Sequence, residues 1–298
     1  MDNLLPNICF VQCDWAWAPI ITLAIIDTLL ARKFEMRFIG WDRFWLIVVV
    51  PAMVTAYYRF SGRREHVADD GFYTATWDVV YYTIMWITLW TFGCMLTYIA
   101  VRIDRPLRDA LFVHYDALLQ FDWRRWTGFV FSHQQIELLL RITYDSILPQ
   151  TLGSVIYFAH TRRPDRNDEL IRTTMIATVI GAAISGLLPA SGPHLNGQYF
   201  AWWKTFSAIR QNPVAVVSLD HLEGIIVFPS FHSVAAVLLV YSHRPPVRSF
   251  PPVLALNLLM LASIPSEGQH YLVDVVSGAI VAIISIAVVR LISARSQS

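Results

Sequence analysis

Apolar stretches long enough to cross a lipid bilayer recur along almost the whole chain, and no other feature constrains the fold as strongly. A helix needs about 20 predominantly apolar residues to span the hydrocarbon core. Only 15% of the residues are charged, whereas soluble domains average about a quarter. The sequence therefore predicts an all-α, polytopic membrane helical bundle with about eight transmembrane helices. We place the spans near residues 16–31, 44–60, 78–101, 136–159, 170–190, 228–243, 252–266 and 271–293.

The stretch between the third and fourth predicted spans has a different character. Residues 102–133 place apolar side chains at helical spacing among Arg and Asp. This pattern predicts helices that lie in the membrane interface rather than cross it. We divide the chain into N-terminal membrane helices, residues 1–77, and a core, residues 78–298, which includes this interfacial segment. A second long connection, residues 191–227, is polar, and long connections are often functional.

The distribution of basic residues indicates an orientation. Short basic connections read RFSGRREH, HTRRPDRND and YSHRPPVR, and the chain ends in RLISARSQS. The positive-inside rule places these segments in the cytoplasm, although the opposite side also carries many Arg and Lys residues. We expect an integral protein of a bacterial inner (cell) membrane whose active site lies at the non-cytoplasmic face.

Polar clusters stand at the N-terminal ends of the sixth and eighth predicted spans. One returning span separates these two spans, so they run parallel, and His232 and His270 lie at the same membrane face. The end of the fifth span, with Ser191 and His194, must emerge at that face as well. Three polar clusters therefore converge.

The residue types in these clusters suit phosphoryl transfer. His270 and Asp274 are four residues apart, so on a helix they share a face. A carboxylate bonded to one imidazole nitrogen fixes the tautomer and leaves the other nitrogen as a nucleophile. Ser230 and Ser233 flank a helix N-terminus suited to an anion, and His232 can protonate a departing oxygen. We therefore predict that His270, Asp274 and His232 are catalytic.

These segments resemble motifs of the type 2 phosphatidic acid phosphatase superfamily. The second motif of that family, Pro-Ser-x-His, is matched by Pro229-Ser230-Phe231-His232. The third ends in His-x3-Asp and is matched by His270-Tyr271-Leu272-Val273-Asp274. The resemblance covers roughly residues 78–293 and implies a membrane fold with a six-helix core.

By this resemblance, His270 is the nucleophile that forms a phosphohistidine, Asp274 orients it, and His232 protonates the leaving alkoxide. Two departures separate the chain from the phosphatase branch. That branch carries Lys-x6-Arg-Pro where this chain reads LLPASGPHLNG, and Ser-Arg where this chain has Ser263-Ile264. The pattern looks more like the inositol phosphorylceramide synthase branch, whose enzymes transfer a phospho-headgroup from one lipid to the hydroxyl of another.

The charge on the transferred phosphoryl group must still be neutralised. Arg141, within the fourth span, is our preferred candidate, and the alternative is a pair with Glu137 or Asp145 on the same helix face. Asp116 and Tyr144 receive no role from the sequence. The predicted substrate-binding residues are Ser230, Ser233, Arg141, Lys204, His194 and Ser191.

The sequence thus predicts a lipid phosphotransferase or phosphatase whose partners are a lipid phosphate and, for a transferase, a lipid hydroxyl acceptor. We expect no cofactor and no metal, and the net charge of +1 gives no basic field for nucleic acid. The oligomeric state stays open. One alternative is a transporter that uses the two histidines and Asp274 as a proton relay, although relays favour charges spread through the membrane depth. Another is a metal site that also includes Glu267.

Overall fold

The computed structural model describes residues 14–46, 48, 49, 53, 71–194 and 202–295, which are almost wholly helical. The protein is an all-α polytopic membrane protein, as the apolar stretches predicted. The helices are α1 (Asp14–Lys33), α2 (Gly71–Arg102), α3 (Asp109–Leu118), α4 (Trp123–Phe131), α5 (Gln134–Asp145), α6 (Ile147–His160), α7 (Pro164–Leu187), α8 (Trp202–Gln211), α9 (Phe231–Ser242), α10 (Phe250–Glu267) and α11 (Leu272–Arg295).

Two short strands accompany the helices and were not predicted. Strand β1 (Met36–Ile39) pairs in parallel with β2 (Ala215–Ser218), with Met36 opposite Ala215. A single 3₁₀ turn (Leu219–His221) follows β2. The strand pair fastens the connection after α8 to the segment that follows α1.

Four of the described helices are long and apolar enough to cross a membrane: α2 over Ala75–Arg102, α7, α10 and α11. Helix α9 is apolar but shorter, with 12 residues. The predicted spans at 78–101, 170–190, 228–243, 252–266 and 271–293 each fall on one of these five helices. The predicted span at 16–31 falls on α1, and the one at 44–60 lies mostly outside the described residues.

One predicted span, 136–159, is corrected by the structure. Two helices, α5 and α6, take its place, with the break at Ser146. The reason lies in α5, where Glu137, Arg141 and Asp145 recur every four residues and form a polar stripe along one side. Helix α5 is therefore amphipathic rather than apolar all round.

Helices α3 and α4 lie within residues 102–133, where interfacial helices were predicted, and their position in a membrane interface stays a prediction. Helix α9 packs against α6, α7, α10 and α11. Its contact with α11 is especially close, because a Cβ on Gly278 would overlap the carbonyl oxygen of Ser230 and lie 2.9 Å from Cβ of Ser233. The N-terminal ends of α9 and α11 are thereby held side by side.

Candidate active site

The beginnings of α9 and α11 are joined by direct hydrogen bonds. The backbone N–H of Ser230 donates to the carbonyl oxygen of Asp274 at 3.1 Å, and Ser233 Oγ donates to the carbonyl oxygen of Val275 at 2.6 Å. These bonds fix the register between the two helices. His232 lies in the first turn of α9, His270 lies just before α11, and both rings line one cavity.

His270 is hydrogen-bonded to Asp274, a contact that their spacing of four residues predicted. Its Nδ1 lies 3.1 Å from Asp274 Oδ2, which also accepts from the backbone N–H of Tyr271 at 2.9 Å. Because Oδ2 acts as an acceptor, Nδ1 carries the hydrogen and Nε2 carries the lone pair of the neutral ring. Burial lowers the pKa of His270 to about 4, against the opposing effect of a backbone hydrogen bond with Val227. The imidazole is therefore neutral at neutral pH, as a nucleophile requires.

Tyr144, on α5, contacts His232 and approaches Gly268 from the same side as His270. Its ring stacks on that of His232, with centroids 3.9 Å apart and an interplanar angle of 14°. A Cβ on Gly268 would lie 2.6 Å from His270 Cδ2 and 2.9 Å from Tyr144 Oη, so only a glycine leaves room for this approach. Sequence reasoning gave Tyr144 no role. One signal for Tyr144 was present in the sequence: it lies three residues after Arg141, so the two side chains share a face of α5.

The cavity that holds both rings has a volume of about 720 Å³, which lies within the usual range for ligand pockets. The rest of its wall is mostly apolar and comes from α2, α6, α7 and α9. This apolar lining includes Trp86, Leu89, Trp90, Leu148, Leu170, Leu238 and Leu239. A hydrocarbon chain buried there would leave water, which is favourable in proportion to its apolar area.

Asp116, on α3, holds the first turn of α11 in place. Its two carboxylate oxygens accept from the backbone N–H groups of Leu272 at 3.0 Å and Val273 at 2.9 Å. These N–H groups have no partner within the helix, so the carboxylate acts as a cap from a distant part of the chain. Asp116 thereby positions His270, which lies two residues before α11.

Asp109 lies two helical turns before Asp116 on α3. It links the loop at Ser191 to Tyr271, just before α11. It accepts from the backbone N–H groups of Ser191 and Gly192 at 3.0 Å and from Tyr271 Oη at 3.1 Å. Phe112, between the two aspartates, stacks on Phe228 at 4.3 Å. The segment that was predicted only as interfacial therefore joins all three clusters, and sequence reasoning did not assign Asp109 or Asp116.

Arg141 is the predicted substrate-binding residue that lines the cavity together with both histidines. Its Nη2 is bonded to Glu137, which was the alternative considered from the sequence, and its Nε lies 3.9 Å from Glu267 Oε2. The guanidinium thus faces the cavity but is already paired with acidic side chains.

The other predicted substrate-binding residues lie outside the cavity lining. Ser233 is buried and uses its hydroxyl in the α9–α11 contact. Ser230 is also buried, and its Oγ finds no hydrogen-bond partner among the described residues. Ser191 is buried in the loop held by Asp109, half-buried His194 lies in the same loop, and Lys204 is exposed on α8. A role for these residues in binding substrate stays a prediction.

Across the described ranges, His, Cys, Asp and Glu side chains form no group of three or more that could hold a metal ion. Glu267 lines the cavity, and its Oε1 is buried without a hydrogen-bond partner in the part of the chain that the structure describes.

Comparison with known proteins gives one result. A family model described as the PAP2 superfamily matches residues 110–288, which is more than half of the chain and includes His232, His270 and Asp116. No curated protein and no solved structure gave a match. The matched region and the paired Pro-Ser-x-His and His-x3-Asp segments agree, and the chain belongs to the PAP2 superfamily.

Proposed function

We propose that this protein is an integral membrane lipid phosphotransferase or phosphatase that works through a phosphohistidine at His270. The observation that carries the proposal is the shared cavity: a neutral imidazole bonded to a carboxylate, a second imidazole and a guanidinium line a space whose remaining wall is mostly apolar. A lipid phosphate matches this arrangement, because its phosphorus can face the polar groups while its hydrocarbon chain lies against the apolar wall.

In the first step, the Nε2 lone pair of His270 attacks phosphorus and the bond from phosphorus to the leaving oxygen breaks. His232 takes up a proton when the donor phosphate binds beside it, and its imidazolium then gives that proton to the leaving oxygen and becomes neutral. Asp274 stabilises the positive charge that develops on the ring of His270. Arg141 is the basic side chain placed to neutralise the equatorial phosphoryl oxygens, and substrate would compete with Glu137 and Glu267 for it.

In the second step, an oxygen nucleophile attacks the phosphohistidine and the phosphorus–nitrogen bond breaks. His232 takes the proton of the nucleophile, which returns both histidines to their starting states. If water attacks, the enzyme is a phosphatase; if a lipid hydroxyl attacks, it is a transferase. We place this chemistry at the non-cytoplasmic face, following the distribution of basic loops.

We favour transfer to a lipid hydroxyl, in the manner of the inositol phosphorylceramide synthase branch. The segment at the position of the phosphatase Lys-x6-Arg-Pro motif has no Lys or Arg within residues 187–197. Its N–H groups at Ser191 and Gly192 bond to Asp109 instead of being free for phosphate. Arg141 is the basic lining residue among those described, and the apolar wall suits a lipid acceptor.

The test is a turnover assay on purified protein in mixed micelles. Lipid phosphate and phospho-headgroup donors are supplied with and without diacylglycerol or ceramide, and both free phosphate compounds and transfer products are measured. We expect a transfer product that requires the acceptor and is lost in His270→Ala. His160→Ala, at the exposed end of α6, is the matched control and should retain activity. Solute flux in proteoliposomes without any lipid turnover would contradict the proposal and favour the transporter.

A further inference from the structure

The polar end of the cavity is acidic, which is unexpected for a site that receives phosphate. Besides the two histidines, the acidic and basic side chains in the lining are four carboxylates and one guanidinium: Glu137, Asp145, Glu223, Glu267 and Arg141. A ligand that is only anionic would therefore meet a net negative wall.

The single guanidinium does not offset this excess. Arg141 is bonded to Glu137 and lies 3.9 Å from Glu267, so its charge is already compensated within the wall. Glu267 keeps one buried oxygen, Oε1, without a hydrogen-bond partner among the residues described. A buried carboxylate oxygen without a donor is costly, and a bound group that donates to it would remove that cost.

The arrangement of the carboxylates points to an organic cation rather than a metal ion. They come from three places: the polar stripe of α5, the end of α10 and the loop before α9. They form no cluster of three metal-ligating side chains within the described ranges. Spread around a cavity that also presents the aromatic rings of Trp90, Phe131 and Phe231, they suit a bulky ammonium, which also binds aromatic faces.

Building on the proposed function, we propose that the donor lipid carries a zwitterionic phospho-headgroup, with an ammonium group attached through the phosphodiester. Its phosphate lies between His270, His232 and Arg141, and its ammonium lies among the carboxylates. The primary ammonium of a phosphoethanolamine lipid can also donate to Glu267 Oε1, whereas the quaternary ammonium of a phosphocholine lipid supplies the charge without an N–H donor. In the first step the phosphorus–oxygen bond to diacylglycerol breaks, diacylglycerol takes the proton of His232, and the whole zwitterionic headgroup moves onto His270.

The test compares donors with identical acyl chains in mixed micelles: phosphatidylethanolamine, phosphatidylcholine, phosphatidylglycerol and phosphatidic acid. Initial rates are measured with an excess of lipid acceptor. We expect the better zwitterionic donor to exceed both anionic donors by about tenfold or more. The comparison of the two zwitterionic lipids shows whether a primary or a quaternary ammonium is preferred.

Charge-neutralising variants then test the cause. Glu267→Gln should lower the ratio of zwitterionic to anionic turnover by about tenfold, and Glu223→Gln, at an exposed position that tolerates change, should lower it in the same direction. Asp42→Asn, which is exposed and outside the cavity lining, is the matched control and should leave the ratio unchanged.

Equal or faster turnover of phosphatidic acid or phosphatidylglycerol, with a ratio that neither Gln variant moves, would overturn the zwitterion inference. The proposed function would survive that result, provided that anionic donors still label His270. If no donor of either class labels His270, both proposals fail.

Discussion

Replacing Asp274 by Asn and by Ala should give two clearly different losses of activity. Both hydrogen bonds to the side chain end on the same oxygen, Oδ2, whereas Oδ1 has no partner among the described residues. In Asp274→Asn the amide oxygen can occupy the Oδ2 position and the NH₂ group the Oδ1 position. His270 then keeps its tautomer and orientation and loses only the negative charge behind the ring.

The magnitudes follow from the bonds that each variant loses. A hydrogen bond to a charged partner is worth about 1.5–3 kcal/mol and a neutral one about 0.5–1.5 kcal/mol, so Asn costs about 1.5 kcal/mol, or about tenfold in rate. Ala removes the acceptor and leaves the N–H groups of His270 Nδ1 and Tyr271 buried without partners. That loss is about 3–5 kcal/mol, or on the order of a thousandfold.

The assay measures kcat/KM for donor turnover in mixed micelles, with thermal unfolding in detergent as a check on folding. Asp165→Asn, whose side chain is 75% exposed at the start of α7, is the matched control. Equal losses in Asp274→Asn and Asp274→Ala would refute the argument, because they would show that the amide cannot replace Oδ2. An active Asp274→Ala would refute the orienting role altogether.

Three further predictions follow from the packing and electrostatics of the site. Gly278→Ala should cost about 1–3 kcal/mol of stability because its Cβ meets Ser230, whereas Gly128→Ala, with nothing within 4 Å, should cost nothing; similar unfolding temperatures in detergent would contradict this. Asp116→Ala should cost about 0.5–2 kcal/mol through the lost cap of α11 and should also lower kcat; unchanged unfolding and turnover would remove its positioning role. Because burial lowers the pKa of His270 to about 4, the neutral nucleophile persists until pH falls through that value, and the acid limb of kcat/KM should lie near pH 4 rather than near the ordinary histidine value of about 6.5.

The core of the site was predictable from the sequence because it depends on local spacing and on span order. His270 and Asp274 meet because residues four apart share a helix face, and this contact needs no knowledge of the fold. The shared location of His232 and His270 follows from counting spans between them. That count was robust to the error at 136–159, since the error lay upstream of both histidines.

What the sequence could not provide was the partner of each polar group. Asp116 and Asp109 bond to groups more than 80 residues away, and an aspartate on an amphipathic helix is usually solvated. Their spacing of seven residues placed them on one face of α3, but nothing in the sequence indicated what that face meets. For Ser233 the sequence suggested a partner that differs from the one found. A hydroxyl at a helix N-terminus suits an anion, but Gly278 allows α9 and α11 to approach so closely that Ser233 donates to a backbone carbonyl of α11.

Trapping the covalent intermediate would show whether His270 carries the phosphoryl group. Purified protein is quenched within milliseconds to seconds of mixing with a donor labelled at phosphorus, and the labelled residue is identified by peptide mass spectrometry. We expect an acid-labile label on His270 that is absent in His270→Ala and that a lipid acceptor discharges. A label on another residue, or undiminished turnover in His270→Ala, would contradict this expectation.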